Sequence, residues 1–121
     1  MAHSYAHLYG IPCTAVRFFT VYGPWGRPDM AYYKFSLAMA RGEAIDVYGD
    51  GSSGRDMTFV DDCAEGVLRL LDSPPSPDPG WDASSPSPER SSAPYRVYNL
   101  GNSSPVLLST MIGHLERLLG I

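Results

Sequence analysis

The feature that most constrains the fold is the run RFFTVYGPWGRPD at residues 17–29, where an apolar segment ends abruptly in glycine and proline. The residues from Cys13 to Phe19 are mostly apolar and rich in β-branched and aromatic side chains, a pattern typical of a strand buried on both faces. Glycine and proline then force the chain to turn. Because ligands of open α/β sheets bind just beyond the carboxyl ends of strands, this pattern predicts a ligand-facing loop.

Size and composition limit the classes of protein that fit. The chain has 121 residues, at most one ordinary domain, and its hydrophobic content of 44% can supply a core. A net charge of −4 and nine scattered basic residues argue against a nucleic-acid partner. No apolar run is long enough to cross a bilayer, so we expect no membrane contact. Cys13 and Cys63 suggest no disulfide framework, which favours the cytoplasm.

Hydrophobic periodicity predicts alternating helices and strands, the arrangement of an α/β domain. The predicted elements are a helix at 1–9 closed by Gly10, the strand at 13–19, a helix at 30–41 capped by Asp29 and stopped by Gly42, strands at 45–48 and 57–60, a helix at 63–71, a strand at 95–99 and a helix at 107–119. In the helix at 63–71, Asp62 and Glu65 have the spacing of a capping box. Val67, Leu68 and Leu71 are expected to form its buried face.

Residues 73–94 differ in composition from the rest of the chain. They are rich in proline and serine and offer almost nothing to bury. A segment of this length without periodicity is unusual inside a compact domain. We therefore predict a mobile surface insert within a single partial domain that spans residues 1–121.

The glycines at 49, 51 and 54 match the G-x-G-x-x-G pattern of dinucleotide-binding loops. That function requires a helix to begin within the glycines, so that its amides hold the pyrophosphate. Residues 55–60 are instead extended in pattern, and Asp50-Gly51 is a hairpin signal. The pattern favours a turn over a cofactor loop.

Arg27 and Arg55 are isolated positive charges in loops beside predicted strand ends. A guanidinium group suits phosphate or carboxylate, so the two arginines are candidates for one shared anion site. A solvated charge, or for Arg55 a pair with Asp56, is the alternative at each position. His3 and His7 share a helix face but lack further ligands nearby, so no metal site is predicted.

Four motifs, in order, resemble the extended short-chain dehydrogenase/reductase superfamily: RFFTVYGPWGRPD at 17–29, IDVYGDG at 45–51, RDMTFVDD at 55–62 and YNLGNSSP at 98–105. Within it, the wording TVYGPWGRPD most resembles NAD-dependent nucleotide-sugar epimerases of the UDP-glucuronate 4-epimerase type. The resemblance implies that the chain is the C-terminal, substrate-binding portion of a Rossmann-like NAD(P)-binding fold. It also implies an enzyme that interconverts UDP-glucuronate and UDP-galacturonate through a 4-keto intermediate, commonly as a homodimer.

The resemblance also assigns roles to individual residues. Phe18 and Phe19 would approach the nicotinamide end of NAD. The substrate-binding residues would be Thr20 and Arg27 at the acidic part of the sugar, Tyr48 near the uracil and Arg55 at the diphosphate. The UDP-sugar is the implied partner, and Thr20 stands where many relatives carry asparagine.

Two motifs of that superfamily are absent from this sequence. There is no Tyr-x-x-x-Lys, because Lys34 is the only lysine and the residue four positions before it is Met30. There is also no N-terminal glycine-rich fingerprint. No catalytic residue is therefore assigned. We expect Met1 to be an internal methionine and the chain to be a C-terminal-half fragment, inactive alone. Another nucleotide-sugar dehydratase, decarboxylase or reductase, or a non-catalytic remnant that binds nucleotide sugars, is the alternative.

Overall fold

The structure is a computed structural model that describes residues 1–121. In chain order the elements are α1 (Ala2–Tyr9), β1 (Cys13–Phe18), β2 (Thr20–Tyr22), α2 (Ala31–Ala40), β3 (Gly54–Phe59), α3 (Val60–Leu71), β4 (Tyr95–Leu100), β5 (Pro105–Leu107) and α4 (Leu108–Leu119). This is the mixed α/β architecture that the sequence predicts. The chain forms two compact units, each built from two stretches of sequence.

The first unit comprises Met1–Phe19 and Asp61–Leu100. Its strands β1 and β4 pair in parallel, from Cys13 opposite Tyr95 to Phe18 opposite Leu100. Both strands therefore end at the same edge, where the amide of Phe19 donates to the carbonyl of Leu100 at 3.2 Å. Helices α1 and α3 contribute the buried Ala6 and Cys63.

The second unit comprises Thr20–Val60 and Gly101–Ile121. Its three-stranded sheet has the order β2-β3-β5, with β2 parallel and β5 antiparallel to β3. Helices α2 and α4 pack against each other in this unit. Met39 of α2 and Thr58 of β3 are its buried side chains.

Several predicted elements are confirmed with small shifts in their bounds. The helix at 1–9 is α1 and is closed by Gly10 in the left-handed conformation, with φ of 64°. The strand at 95–99 and the helix at 107–119 correspond to β4 and α4. The predicted turn at the glycines is also present, because Gly49 and Gly51 both have positive φ and β3 follows rather than a helix.

The strand predicted at 45–48 is wrong. These residues have no regular structure, since no neighbouring backbone pairs with them. The alternation of apolar and polar side chains there is real, but a strand needs a partner for its amides and carbonyls. The hairpin interpretation of Asp50-Gly51 is wrong for the same reason, and β3 pairs with β2 and β5 instead.

The interpretation of β1 as a strand buried on both faces is also wrong. It pairs only with β4, its first residues are half-buried, and Phe18 is exposed. The predicted loop after it contains the short strand β2, paired with Thr20 opposite Met57 of β3.

The expected helix caps differ as well. Helix α2 begins after Met30 without a side-chain cap, because the Asp29 carboxylate binds Arg27 instead. Asp61 and Asp62 lie inside the first turn of α3, which begins at Val60, so the predicted capping box is wrong.

Glu65, the other member of that predicted capping box, binds Arg69 one turn along α3. Leu68 and Leu71 of the expected buried face are exposed, and Val67 is half-buried.

Residues 73–94 contain turns and one isolated bridge between Arg90 and Arg96, with no helix or strand. The segment was expected to offer almost nothing to bury, and two of its small side chains, Ser91 and Ala93, are buried. The Ser91 hydroxyl lies 2.7 Å from Nε2 of His3 on α1 and accepts the amide of Ala93. The mobility of this segment, and the interpretation of residues 1–121 as a single partial domain, stay predictions.

Candidate functional site

The second unit contains a cavity of about 530 Å³, a volume in the range of small-molecule binding sites. Its walls come from the start of β2, from the loop before α2 and α2 itself, from β3 and the loop before it, and from β5 and the start of α4. Most of its lining is apolar, and five polar side chains interrupt it. The lining residues are Thr20, Asp29, Met30, Ala31, Phe35, Tyr48, Ser53, Arg55, Met57, Val106, Leu108 and Met111.

Three of the predicted substrate-binding residues, Thr20, Tyr48 and Arg55, line this cavity together. Thr20 reaches it because β2 begins there and pairs with Met57, another lining residue. Arg55 and Met57 are two residues apart on β3, so the alternation of a strand points both side chains to the same face. Tyr48 is 88% exposed, which leaves its ring free to cover a ligand.

The side chain of Arg55 is available to an anion. Its only hydrogen bond runs from Nη1 to the carbonyl of Gly54, at 2.9 Å, and it takes part in no ion pair. The alternative pair with Asp56 is not formed. The Asp56 carboxylate instead accepts the amides of Ser103 and Ser104, at 3.1 and 3.2 Å.

Arg27 does not line the cavity, although its neighbour Asp29 does. The Arg27 guanidinium donates through Nε to Oδ1 of Asp29 at 3.0 Å and through Nη2 to the other carboxylate oxygen. These hydrogen bonds hold the pKa of Asp29 below its usual value and raise that of Arg27. The structure therefore brings Arg55 to the cavity and holds Arg27 against Asp29, beside it.

Phe18 and Phe19, the predicted cofactor-binding residues, belong to the first unit. They lie at the carboxyl end of β1 and are 50% and 51% exposed. Exposed aromatic rings at the shared ends of two parallel strands suit contact with a flat, partly apolar ring. The chain holds no matching cradle for a pyrophosphate, since the glycines at 49–54 lead into β3.

The potential metal ligands of this chain are not clustered. No group of three or more histidine, cysteine or acidic side chains could hold a metal ion. Burial raises the pKa of the Cys63 thiol, and the nearby Asp62 adds to the effect, so this sulfur is kept protonated. No helix is long and apolar enough to traverse a bilayer.

Sequence reasoning missed the apolar half of the cavity. Val106, Leu108 and Met111 come from the region around β5 and α4, about 50 residues beyond the β3 residues that they face. The period of α4 predicts an apolar face but not what that face covers. Asp29 was missed as a lining residue because its position before a helix predicted a cap.

Comparison with known proteins connects this geometry to a family. A family model described as the NAD dependent epimerase/dehydratase family matches residues 1–101. An uncharacterized 37.6 kDa protein of Escherichia coli O111:H- is 58% identical over 121 residues, which cover 100% of this chain and 36% of that protein. A probable UDP-glucuronate 4-epimerase of Rhizobium meliloti (strain 1021) is 48% identical, covering 99% of this chain and 36% of that protein.

Among solved structures, the UDP-glucuronic acid 4-epimerase of Bacillus cereus, in complex with UDP-glucuronic acid and NAD, superposes with a TM-score of 0.78 and 29% identity. The match covers 99% of this chain and 33% of the Bacillus protein. This chain therefore spans about one third of the length of the proteins that it matches. The resemblance and the Rossmann-like α/β fold that the sequence indicates are both confirmed.

Proposed function

This chain belongs to the NAD dependent epimerase/dehydratase family, and on that basis we propose that it is the substrate-binding portion of an enzyme that interconverts UDP-glucuronate and UDP-galacturonate at C4. The observation that carries the proposal is the cavity in which Thr20, Tyr48 and Arg55 meet. An aromatic ring, a hydroxyl and a free guanidinium around an apolar pocket suit a nucleotide sugar. The uridine supplies a flat ring, and the diphosphate and uronate supply negative charge.

Each polar residue has a distinct role in this proposal. Arg55 binds the diphosphate with charge-assisted hydrogen bonds. The exposed ring of Tyr48 stacks against the uracil, and the Thr20 hydroxyl donates to the sugar carboxylate. Arg27, beside the cavity, supplies the second positive charge for that carboxylate.

NAD is the cofactor of the proposed complete enzyme, and when bound it would supply reversible hydride transfer at C4 of the sugar. The part of this chain that fits the cofactor is the pair of exposed rings at Phe18 and Phe19, which would contact its nicotinamide end. A Tyr-x-x-x-Lys motif for proton transfer and a glycine-rich loop that opens a helix and cradles a pyrophosphate are not found among these 121 residues. We propose that they belong to other polypeptide of the complete enzyme, which is active as a homodimer in the cytoplasm.

The test is calorimetric titration of the chain with UDP-glucuronate, UDP-galacturonate and UDP. We expect all three to bind, and we expect Arg55→Gln to weaken all three by about tenfold or more because each carries the diphosphate. Arg27→Gln should weaken the two UDP-uronates and leave UDP unchanged.

Arg69→Gln is the matched control for these variants. It removes the same charge from the exposed surface of α3, where Arg69 pairs with Glu65, and it should bind every ligand as the wild type does. A chain that binds neither UDP nor UDP-glucuronate would contradict the proposal. Equal weakening by all three substitutions would show nonspecific attraction of an anion and would contradict it too.

A further inference from the structure

The ion pair between Arg27 and Asp29 occupies one edge of the guanidinium that would bind an acidic sugar. The Asp29 carboxylate lies against one edge of the guanidinium and accepts two hydrogen bonds, from Nε and from Nη2. This is the bidentate geometry in which arginine binds any carboxylate, including one on a ligand. Two carboxylates cannot accept from the same edge at once.

The position of the pair gives it a consequence for binding. Asp29 lines the cavity and Arg27 does not, and the Arg27 guanidinium is turned onto the Asp29 carboxylate. The charged lining residues are therefore one anion, Asp29, and one cation, Arg55. A ligand carboxylate can bind this edge of the guanidinium only if Arg27 leaves Asp29.

Local structure does not otherwise require Asp29. The N-cap of α2 is Met30, and no side chain caps that helix. Both members of the pair are exposed to solvent, with 74% of the Arg27 side chain and 57% of the Asp29 side chain accessible. Exposed pairs of this kind exchange partners at little cost in free energy.

We propose that Asp29 is a built-in competitor of the ligand's carboxylate for Arg27, and that it thereby sets the affinity of the site for uronate-bearing nucleotides. This inference rests on the proposed function, since it takes the ligand to be a UDP-hexuronate. When the uronate binds, Arg27 leaves Asp29 and takes the sugar carboxylate in its place. A neutral hexose has no carboxylate to bind Arg27, so the ion pair between Arg27 and Asp29 stays formed.

The decisive variant is Asp29→Asn, which keeps the shape of the side chain and removes its charge. We expect it to bind UDP-glucuronate about two- to fivefold more tightly than the wild type, the range for loss of one exposed ion pair. Its affinity for UDP-glucose, the neutral probe, should not change. Calorimetric titration of both ligands, at fixed ionic strength, measures the two dissociation constants.

Three comparisons make the result interpretable. Asp72→Asn removes the same charge from an exposed position after α3, and it should leave both affinities unchanged. Asp29→Glu restores the charge and should return the UDP-glucuronate affinity toward the wild-type value. In an Arg27→Gln background the gain from Asp29→Asn should shrink, because competition requires the guanidinium.

The possible outcomes separate this inference from the proposed function. If the wild type binds UDP-glucuronate and Asp29→Asn weakens that binding, Asp29 positions Arg27 instead of competing for it, and the inference is overturned. A gain that is equal for UDP-glucose, or equal in the Arg27→Gln background, reflects general repulsion and overturns it as well. A wild-type chain that binds neither UDP-glucuronate nor UDP overturns the proposed function and this inference together.

Discussion

At the scale of single residues, the turn after β2 depends on a glycine that has no substitute. Gly23 has φ of 131°, a conformation that other residues rarely adopt. A Cβ atom there would lie 2.7 Å from the Val60 side chain and 2.9 Å from that of Phe59. The same turn carries the chain toward Asp29 and the cavity, so its geometry affects both stability and binding.

We expect Gly23→Ala to lower the free energy of unfolding by about 1–3 kcal/mol, because it adds backbone strain to a steric overlap. Gly113→Ala is the matched control, since a Cβ there meets nothing within 4 Å and the residue lies in α4. It should raise stability by about 0.5–1 kcal/mol through helix propensity. Urea denaturation followed by circular dichroism measures both, and a neutral Gly23→Ala would contradict this account of the turn.

Asp29 and Arg55 also show how far a residue's role can be predicted from the sequence. The isolation of Arg55 predicts an anion-binding residue in a loop, whereas the structure places it on β3, where it lines the cavity. Asp29 was expected to cap α2, because aspartate before a helix usually does. Its carboxylate binds Arg27 two residues earlier, and nothing in the local pattern distinguishes these two uses.

At the scale of elements, those that the sequence missed or falsely predicted are strands. Helices such as α1 and α4 can be predicted from the sequence, because their apolar residues recur at the helical period and share one face. Strands β2 and β5 are three residues each and exist only because β3 lies between them. Conversely, the alternation at Ile45 to Tyr48 predicts a strand that does not form. Whether such a short strand forms depends on a pairing partner far along the chain, and the local sequence pattern does not reveal that partner.

Strand β5 is positioned by a side chain of β3. The Asp56 carboxylate accepts the amides of Ser103 and Ser104, and it holds the turn that leads into Pro105. Ser103 has a φ of 55°, in the left-handed region. These two hydrogen bonds thereby set where Val106 and α4 meet the cavity.

We expect Asp56→Ala to destabilise the chain by about 1–2 kcal/mol, since two amides lose a charged acceptor at a partly exposed site. It should also weaken UDP binding, because the apolar wall of the cavity shifts. Asp56→Asn keeps one carbonyl oxygen as an acceptor and should have a smaller effect on both. Thermal unfolding and calorimetry test this, and an Asp56→Ala chain with unchanged unfolding and binding would contradict it.

At the scale of the whole molecule, much apolar surface remains accessible. No large side chain is fully buried, and exposed residues include Tyr5, Leu8 and Tyr9 on α1 and Leu118 on α4. Marginal burial of this kind predicts a small free energy of unfolding. A ligand that binds only the folded chain should therefore raise its midpoint of thermal unfolding visibly.

We expect the 121-residue chain to bind UDP-glucuronate without converting it. The cavity supplies binding groups, whereas the sequence offers no Tyr-x-x-x-Lys for proton transfer. Chromatography of the nucleotide sugars after incubation with NAD measures the conversion. Formation of UDP-galacturonate by the purified chain would contradict the absence of a catalytic centre.

Stability should fall in acid. Hydrogen bonds lower the pKa of three carboxyl groups in the folded chain. The donors are Arg27 for Asp29, Ser52 for Asp50 and Ser84 for Asp82. A carboxyl whose pKa is lower in the folded chain binds fewer protons there than in the unfolded chain, so it contributes stability above its unfolded pKa. That contribution is lost as the pH falls through the folded value.

The midpoint of thermal unfolding should accordingly be flat between about pH 7 and 5 and decrease below about pH 4. Asp50→Asn should reduce the size of that decrease, because it removes one of the carboxylates that must be protonated. A midpoint that rises on acidification would contradict the assignment of these hydrogen bonds.

The pairing of β1 with β4 has a consequence during synthesis. Cys13 and Tyr95 are opposite each other in the sheet, although about 80 residues separate them along the chain. A ribosome that adds roughly 5–20 residues per second delivers β4 several seconds after β1 has been made. Throughout that delay one edge of β1 is without its native neighbour, and its free amides and carbonyls are open to pairing with other chains.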